Sequence, residues 1–377
     1  MERVQFQQEQ MLAELKDLVA KDLFTQAETK AVMKKRTQFE TALVRRVAKK
    51  ADFLRYVEYE MGLEQLRRKR VARLEIPPGP ATISDYALVR RQFHIFERAL
   101  KKFRSDLSLW LAYLDLVKRE HAHTLYSRVV ARAIQMHPTE PSLYVLAAQH
   151  ELSQGSQSAG RAMLQRGVRM CGDGVDIWRE WVRMEMGFVE KLRRRWGVLG
   201  LEEEHVEDET AELLAVKDGE EARAAIMRGA IVKSVIASAA KALGTTELFT
   251  ALIALIDSFP FSDGEGLAEE LLEQVYGLLR HTRPRDPRAA RILAERFLPK
   301  NLSDTDSGCV DGVQKANEEM LALCGEGGED MVRAYVEFAG VVVDGLMDES
   351  LKLYLVSSVR RFIGQHGGLD VLQCRAV

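Results

Sequence analysis

The sequence predicts an all-α chain, a solenoid of antiparallel helix pairs, on three observations. A large aromatic recurs at Trp110, Tyr144 and Trp178, at intervals of 34 residues. A second motif keeps that interval, Phe96-Glu-Arg-Ala-Leu100 returning as Val130-Ala-Arg-Ala-Ile134 and Leu164-Gln-Arg-Gly-Val168. No segment alternates with strand period over a convincing length, whereas apolar residues recur at helical spacing. Two independent motifs sharing one period of this length are the mark of stacked helix pairs, each covering its neighbour's apolar face.

Residues 1–50 are expected to form N-terminal helices. Leu12, Leu15, Leu18 and Val19 share one face of a helix over residues 10–22, and Val32, Phe39 and Leu43 share a face over 26–46. Residues 51–195 hold the repeats. Phe53, Tyr56 and Glu60 open the series, and their aromatic precedes Trp110 by 57 residues. An insertion at residues 74–80 (LEIPPGP), where proline and glycine forbid helix continuation, accounts for the excess over one period.

Within each full unit one helix carries Phe96, Arg98 and Ala99, repeated as Arg132 with Ala133 and as Arg166 with Gly167. The small residue lets two helices approach closely where they cross. The second helix carries Trp110 with Tyr113, Tyr144 with Ala147, and Trp178 with Trp181, each pair on one helical face. Pro138 and Pro141 bracket a turn between helices, with Pro141 suited to a helix's first turn. A cofactor box is the sharper alternative for such an aromatic stripe. Core packing accounts for it better, because the stripe repeats where a single ligand could not.

Residues 196–221 include a strongly acidic run (EEEHVEDETAE) and read as a linker. Residues 222–377 are expected to be degenerate helical repeats: helices near 222–243, 247–257, 267–279 and 289–297, a polar break at 299–312, then helices near 313–324, 330–347 and 350–366. Val332, Tyr335 and Phe338 carry a faint trace of the repeat.

The formal net charge of −2 conceals an asymmetry. Residues 1–200 hold 36 Lys and Arg against 24 Asp and Glu, and the remainder holds 18 against 32. Two halves of opposite sign suit two different neighbours, or simply solvated helix surfaces. The four cysteines, Cys171, Cys309, Cys324 and Cys374, lie far apart without a CxxC pair, which reads as reduced structural thiols. The first residues, MERVQFQQEQ, lack the apolar stretch of a signal peptide, and no run is long enough to span a bilayer. A soluble intracellular protein is expected.

A search for chemistry finds no assembled site. Gly172-Asp-Gly174 and Gly325-Glu-Gly-Gly328 lack the Lys-Ser/Thr of a P-loop, and no HExxH or GxSxG occurs. No cofactor or metal is expected. Glu60, Glu151 and Glu185 return at one repeat position, and a repeated acid is a structural device, since a catalytic pair is needed once. Their expected partners are arginines of the Arg98, Arg132 and Arg166 series.

The candidate contacts to RNA or to acidic partners are Lys34, Lys35, Arg36, Arg45, Arg46, Arg67, Arg68, Lys69, Arg70, Arg193, Arg194 and Arg195. No RNA-reading motif accompanies them, so contact would be sequence-blind and salt-sensitive. A solvated face or a nuclear-import signal is the plainer alternative. The arginine-bearing stretch at residues 281–288 reads as a turn.

The W-xx-Y/W-xxx-E helix, paired with an F-x-R-A-L helix, resembles the half-a-TPR (HAT) repeat, which implies a HAT/TPR-like α-solenoid serving as a scaffold in RNA-processing assemblies. The stretch LFTQAETKAVMKKRTQFE at 23–40, then Arg45-Arg46, DFLRYVEYE at 52–60 and LEQLRRKR at 63–70, is similar to the U3 small nucleolar RNA-associated protein 6 family. Arg183-Met-Glu-Met186 and Glu190-Lys-Leu-Arg193 continue the likeness, which covers about residues 10–195. Tyr144 and Ala147 depart from the commonest aromatics of the repeat.

The resemblance implies a non-catalytic subunit of the UTP-B subcomplex within the nucleolar small-subunit processome. Its partners would be WD40 propeller subunits, other processome proteins, and U3 small nucleolar RNA or pre-ribosomal RNA. Two readings stand beside it: a HAT scaffold of the splicing or 3′-end cleavage machinery, and a sequence-nonspecific RNA-binding module.

Overall fold

A computed structural model describes residues 2–45, 47, 49–74, 82–199, 225–226, 228–261, 266–298, 307–324 and 329–365. Among the described residues there are sixteen α-helices and no strand. They fall into two compact units, residues 1–154 and 155–377.

The first unit holds α1 (Glu2–Ala20), α2 (Gln26–Val44), α3 (Lys50–Arg73), α4 (Ile83–Lys102), α5 (Leu107–Arg119), α6 (His123–Met136) and α7 (Pro141–Ser153). From α2 onward each helix packs on its successor, and most connections are too short for anything but antiparallel pairing. Local chemistry sets each start. Thr25 accepts from the Glu28 backbone N–H while the Glu28 carboxylate accepts from that of Thr25, a complete capping box for α2. Asp106 caps α5 through Ser108, and Pro141 occupies the first turn of α7 as expected. Helix α1 lies against α2 and α4, burying Leu15 and Leu18 with Leu23, Phe24 and Val32. Asp17 reaches across to cap α4, accepting from the Ser84 N–H at 3.0 Å and the Thr82 hydroxyl at 2.6 Å.

The extra residues between Phe53 and Trp110 do not all sit in a loop at residues 74–80. Helices α3 and α4 are 24 and 20 residues long, against 13 and 14 in α5 and α6, so lengthened helices carry much of the excess. Residues 75–81 themselves lie outside the described set.

The second unit holds α8 (Gln157–Met170), α9 (Val175–Leu199), α10 (Ala230–Ala242), α11 (Thr246–Ser258), α12 (Gly266–Thr282), α13 (Pro287–Glu295), α14 (Ser307–Cys324), α15 (Glu329–Gly345) and α16 (Glu349–Gln365). Helix α9 packs on α8, α10 and α11. The expected linker at 196–221 lies outside the described residues beyond the end of α9.

The polar break expected through residue 312 ends sooner, because α14 begins at Ser307. Cys309, Val313, Ala316 and Met320 form its buried stripe, whose first member is a thiol behaving as a small apolar group. Tyr335, within the faint trace of the repeat, is fully buried in α15 and donates to Asn317 Oδ1 at 2.6 Å. Asn317 donates in turn to the Ser358 hydroxyl at 3.0 Å, which joins α14, α15 and α16 through one satisfied polar network.

Repeat framework and candidate interaction surface

The recurring aromatic has two functions in each unit. Its ring fills the core, Trp110, Tyr144 and Trp178 being at most 4% exposed. Its polar tip ties the preceding turn: Trp110 Nε1 donates to the Arg104 carbonyl at 2.9 Å, the Tyr144 hydroxyl to Pro138 at 2.9 Å, and Trp178 Nε1 to Gly172 at 3.1 Å. The acceptor lies six residues upstream each time. Tyr144 therefore keeps the function of the tryptophan it replaces. Phe53 has no donor and instead meets the Phe103 ring edge-on at 6.1 Å.

The other core positions fall as expected. Tyr56, Phe96, Ala99, Tyr113, Ala133 and Gly167 are buried, and Trp181 is half-buried, stacked on Trp178 at 5.6 Å. Phe96 stacks on Tyr113 at 5.2 Å and Phe39 on Tyr56 at 5.0 Å, the same contact one unit apart. Burial pushes the Tyr113 phenol well above its ordinary range, with the Glu97 carboxylate adding to the shift. It is a fixed donor to Glu97, at 3.1 Å.

The acids of the Glu60 series have different partners from those expected. Arg36 grips Glu60 with two bonds of 2.7 Å, and Arg161 grips Glu185 with two of 2.7 Å. In both, the arginine lies 24 residues before the acid, on the first helix of the same pair. The Arg98 series lies five residues further along that helix, which turns it away from its own partner helix and toward the neighbouring pair. Arg98 bonds Glu40 twice at 2.9 Å, and Arg132 bonds Glu97. Glu151 makes no ion pair among the described residues; the position 24 residues before it is Ser127. Arg166 is exposed and has no ion pair among the described residues.

Glu40 and Glu97 were not singled out from the sequence, although a signal existed. Phe39-Glu-Thr-Ala-Leu43 precedes Phe96-Glu-Arg-Ala-Leu100 by the same 57 residues that separate Phe53 from Trp110. Helices α2 and α3 are thus a repeat pair, and residue 36 corresponds to residue 161.

That framework redistributes the candidate basic residues. Arg36 is 1% exposed and held between Glu60 and Glu14, at 3.2 Å from the latter, so it cannot reach a partner. Burial raises the Glu60 carboxyl above its ordinary range, and the Arg36 charge opposes that shift. Arg67 bonds Glu64 twice at 2.8 Å and Asp85 at 3.4 Å; Arg68 bonds Glu64 and Glu120. Arg70 bonds Glu28 and the Leu23 carbonyl, and lies 4.7 Å over the Phe24 ring. Of that run only Lys69 is exposed without a carboxylate. Arg194 bonds Glu190 at 2.9 Å, and Arg193 is half-buried. Lys34, Lys35, Arg45 and Arg195 are exposed, and Arg46 lies outside the described residues.

Among the described residues no three His, Cys, Asp or Glu side chains are grouped to hold a metal ion, and no helix is long and apolar enough to cross a membrane. Cys309 and Cys324 are buried thiols, the latter raised to about 11 by its burial.

Residues 8–91, spanning α1 to the first turns of α4, match the sequence profile of the family described as U3 small nucleolar RNA-associated protein 6. A Schizosaccharomyces pombe protein of that name is 39% identical over 199 residues, covering 52% of this chain and 41% of its own length. The Mus musculus homolog is 28% identical over 298 residues, covering 79% of this chain and 47% of its own. A Dictyostelium discoideum homolog is 30% identical over 197 residues, covering 51% and 31%. The chain thus spans less than half the length of these relatives.

Proposed function

We propose, for a chain recognisably of the U3 small nucleolar RNA-associated protein 6 family, that it is a non-catalytic scaffold subunit supporting U3-dependent pre-ribosomal RNA processing and small-subunit assembly. The observation that carries this reading is the place of the family match. It falls on α1–α4, where Arg36, Glu14, Glu60, Arg91 and Arg98 with Glu40 knit four helices together. The matched segment is therefore an integral part of the helical stack, and the chain after it is helical as well.

A scaffold assignment also fits the use of charge. Two of the three recurring acids, Glu60 and Glu185, are spent on ion pairs inside the stack, where a reacting substrate has no access. In the finer reading the chain acts in the nucleolus within UTP-B, beside WD40 propeller subunits and other processome proteins. Its helix faces and turns would dock partner segments, with RNA held through phosphate contacts.

Purification of the tagged protein from nuclear extract tests this. U3 RNA and nucleolar propeller proteins are expected in the eluate. Recovery of splicing or 3′-end cleavage proteins instead would assign the chain to a different RNA-processing machine.

A further inference from the structure

The first unit has two edges, one made by the turns α2–α3, α4–α5 and α6–α7, the other by the turns between them. They differ in charge balance. On the α3–α4 edge, Arg67, Arg68 and Arg70 are paired with Glu64, Asp85, Glu120 and Glu28, so that Lys69, Arg73, Lys118 and Arg119 are exposed on an edge that also carries four acids. On the opposite edge, Arg45, Lys49, Lys101, Lys102 and Arg104 are all exposed, and none forms a contact ion pair among the described residues.

These five cations lie on two adjacent turns. Lys50 at the start of α3 bonds Asp106 at the start of α5 at 2.6 Å, and Phe53 meets Phe103, so the turns touch. The acids present there are already engaged: Asp106 by Lys50 and Ser108, and Asp52 by the Lys49 backbone N–H.

We infer that this edge of the first unit is an RNA phosphate-binding ridge, formed by Arg45, Lys49, Lys101, Lys102 and Arg104. The inference rests on the RNA-processing role proposed above and locates its RNA contact. Five exposed cations on neighbouring turns, of which Lys101 alone feels a nearby carboxylate, that of Glu97, attract a polyanion and release its counterions. The ring at the junction, Phe103, is turned inward onto Phe53, so bases have no stacking platform there and the backbone is what is held. Binding is sequence-blind for the same reason. The competing occupant is an acidic protein segment using the exposed Val44 and Val47 as apolar anchors.

The test uses the full chain and a fluorescein-labelled oligouridylate, with anisotropy read across a salt series. Lys101→Glu, Lys102→Glu and Arg104→Glu together are expected to weaken binding roughly tenfold or more, and to reduce the slope of log affinity on log salt by about 2. The matched reversal Arg73→Glu, Lys118→Glu and Arg119→Glu, on the opposite edge, is expected to change affinity less than about threefold. Far-ultraviolet circular dichroism confirms that both variants keep their helices. Equal loss on both edges, or no loss on either, overturns the ridge. So does a glutamate-rich peptide that binds where RNA does not and is released by Val47→Ser, which would make the edge a protein site. These results leave the scaffold reading standing, since that reading fails only if the unaltered protein recovers neither U3 RNA nor nucleolar partners.

Discussion

At the scale of single residues, the buried arginine is the most consequential group in the first unit. Arg36→Met leaves the Glu60 carboxylate buried without its cation, and is expected to cost about 3–5 kcal/mol in urea unfolding. Arg36→Met with Glu60→Leu should recover most of that loss; a double variant as unstable as the single would show that packing, not charge, is what Arg36 supplies. Glu28 gives a pH-dependent readout. The hydrogen bond from Arg70, with a second from the Thr25 backbone, holds its carboxyl down to about 2 from an ordinary value near 4.5. A lowered folded-state value stabilises the fold above the ordinary range and loses that contribution as pH falls from about 4.5 to about 2. Carbon-detected NMR should place the Glu28 midpoint near 2, and Arg70→Gln should move it back toward 4.5. The expectation from sequence that the repeated acids are structural agrees with the ion pairs of Glu60 and Glu185, whereas Glu151 has none among the described residues. Sequence alone did not show their partners, because Arg36 and Arg98 differ only in helical phase, and phase is read from a register that the 57-residue interval had obscured.

At the scale of elements, the aromatic of each second helix separates into a ring and a donor. Trp178→Ala removes both and is expected to cost about 3–5 kcal/mol. Tyr144→Phe removes only the bond to Pro138 and should cost about 1 kcal/mol, read as a shift in the denaturation midpoint at unchanged slope. A larger cost for Tyr144→Phe would mean that the turn itself unravels. The return turns carry a second regularity. His121 has φ +54° and Gly155, 34 residues later, has φ +83°. Histidine pays a steric cost in that conformation which glycine escapes, so His121→Gly is expected to raise stability by about 0.5–1 kcal/mol. Helix order and period were legible from the sequence because aromatics and small residues keep strict spacing. The early start of α14 was not, since its stripe opens on Cys309 within polar neighbours. Nor was the lengthening of α3 and α4, because the prolines at residues 77, 78 and 80 draw attention to the connection alone.

At the scale of the whole molecule, α1 covers apolar surface of α2 and α4 in the first unit. Its Glu14 serves Arg36 and Arg91 at once, while Leu15 and Leu18 cover Val32 of α2. A repeat helix that loses its neighbour exposes the apolar face which that neighbour buried. Removal of residues 2–22 is expected to give a chain that binds a hydrophobic dye and loses a cooperative thermal transition; unchanged melting would show that α1 is dispensable. The excess of cations over residues 1–200 was plain in the composition, but composition could not separate committed charge from available charge. Arg67, Arg68 and Arg70 stand out as a written run, yet folding neutralises them, while Lys101, Lys102 and Arg104 look ordinary and remain open. The tie from each aromatic to a carbonyl six residues upstream has one more consequence. It acts as a ruler on the α4–α5, α6–α7 and α8–α9 turns, each of which is four residues long, and a length change there would break the tie. The return connections carry no such gauge, and the one between α3 and α4 already differs in length from its counterparts, which makes return connections the natural sites for grafting a label or a tether.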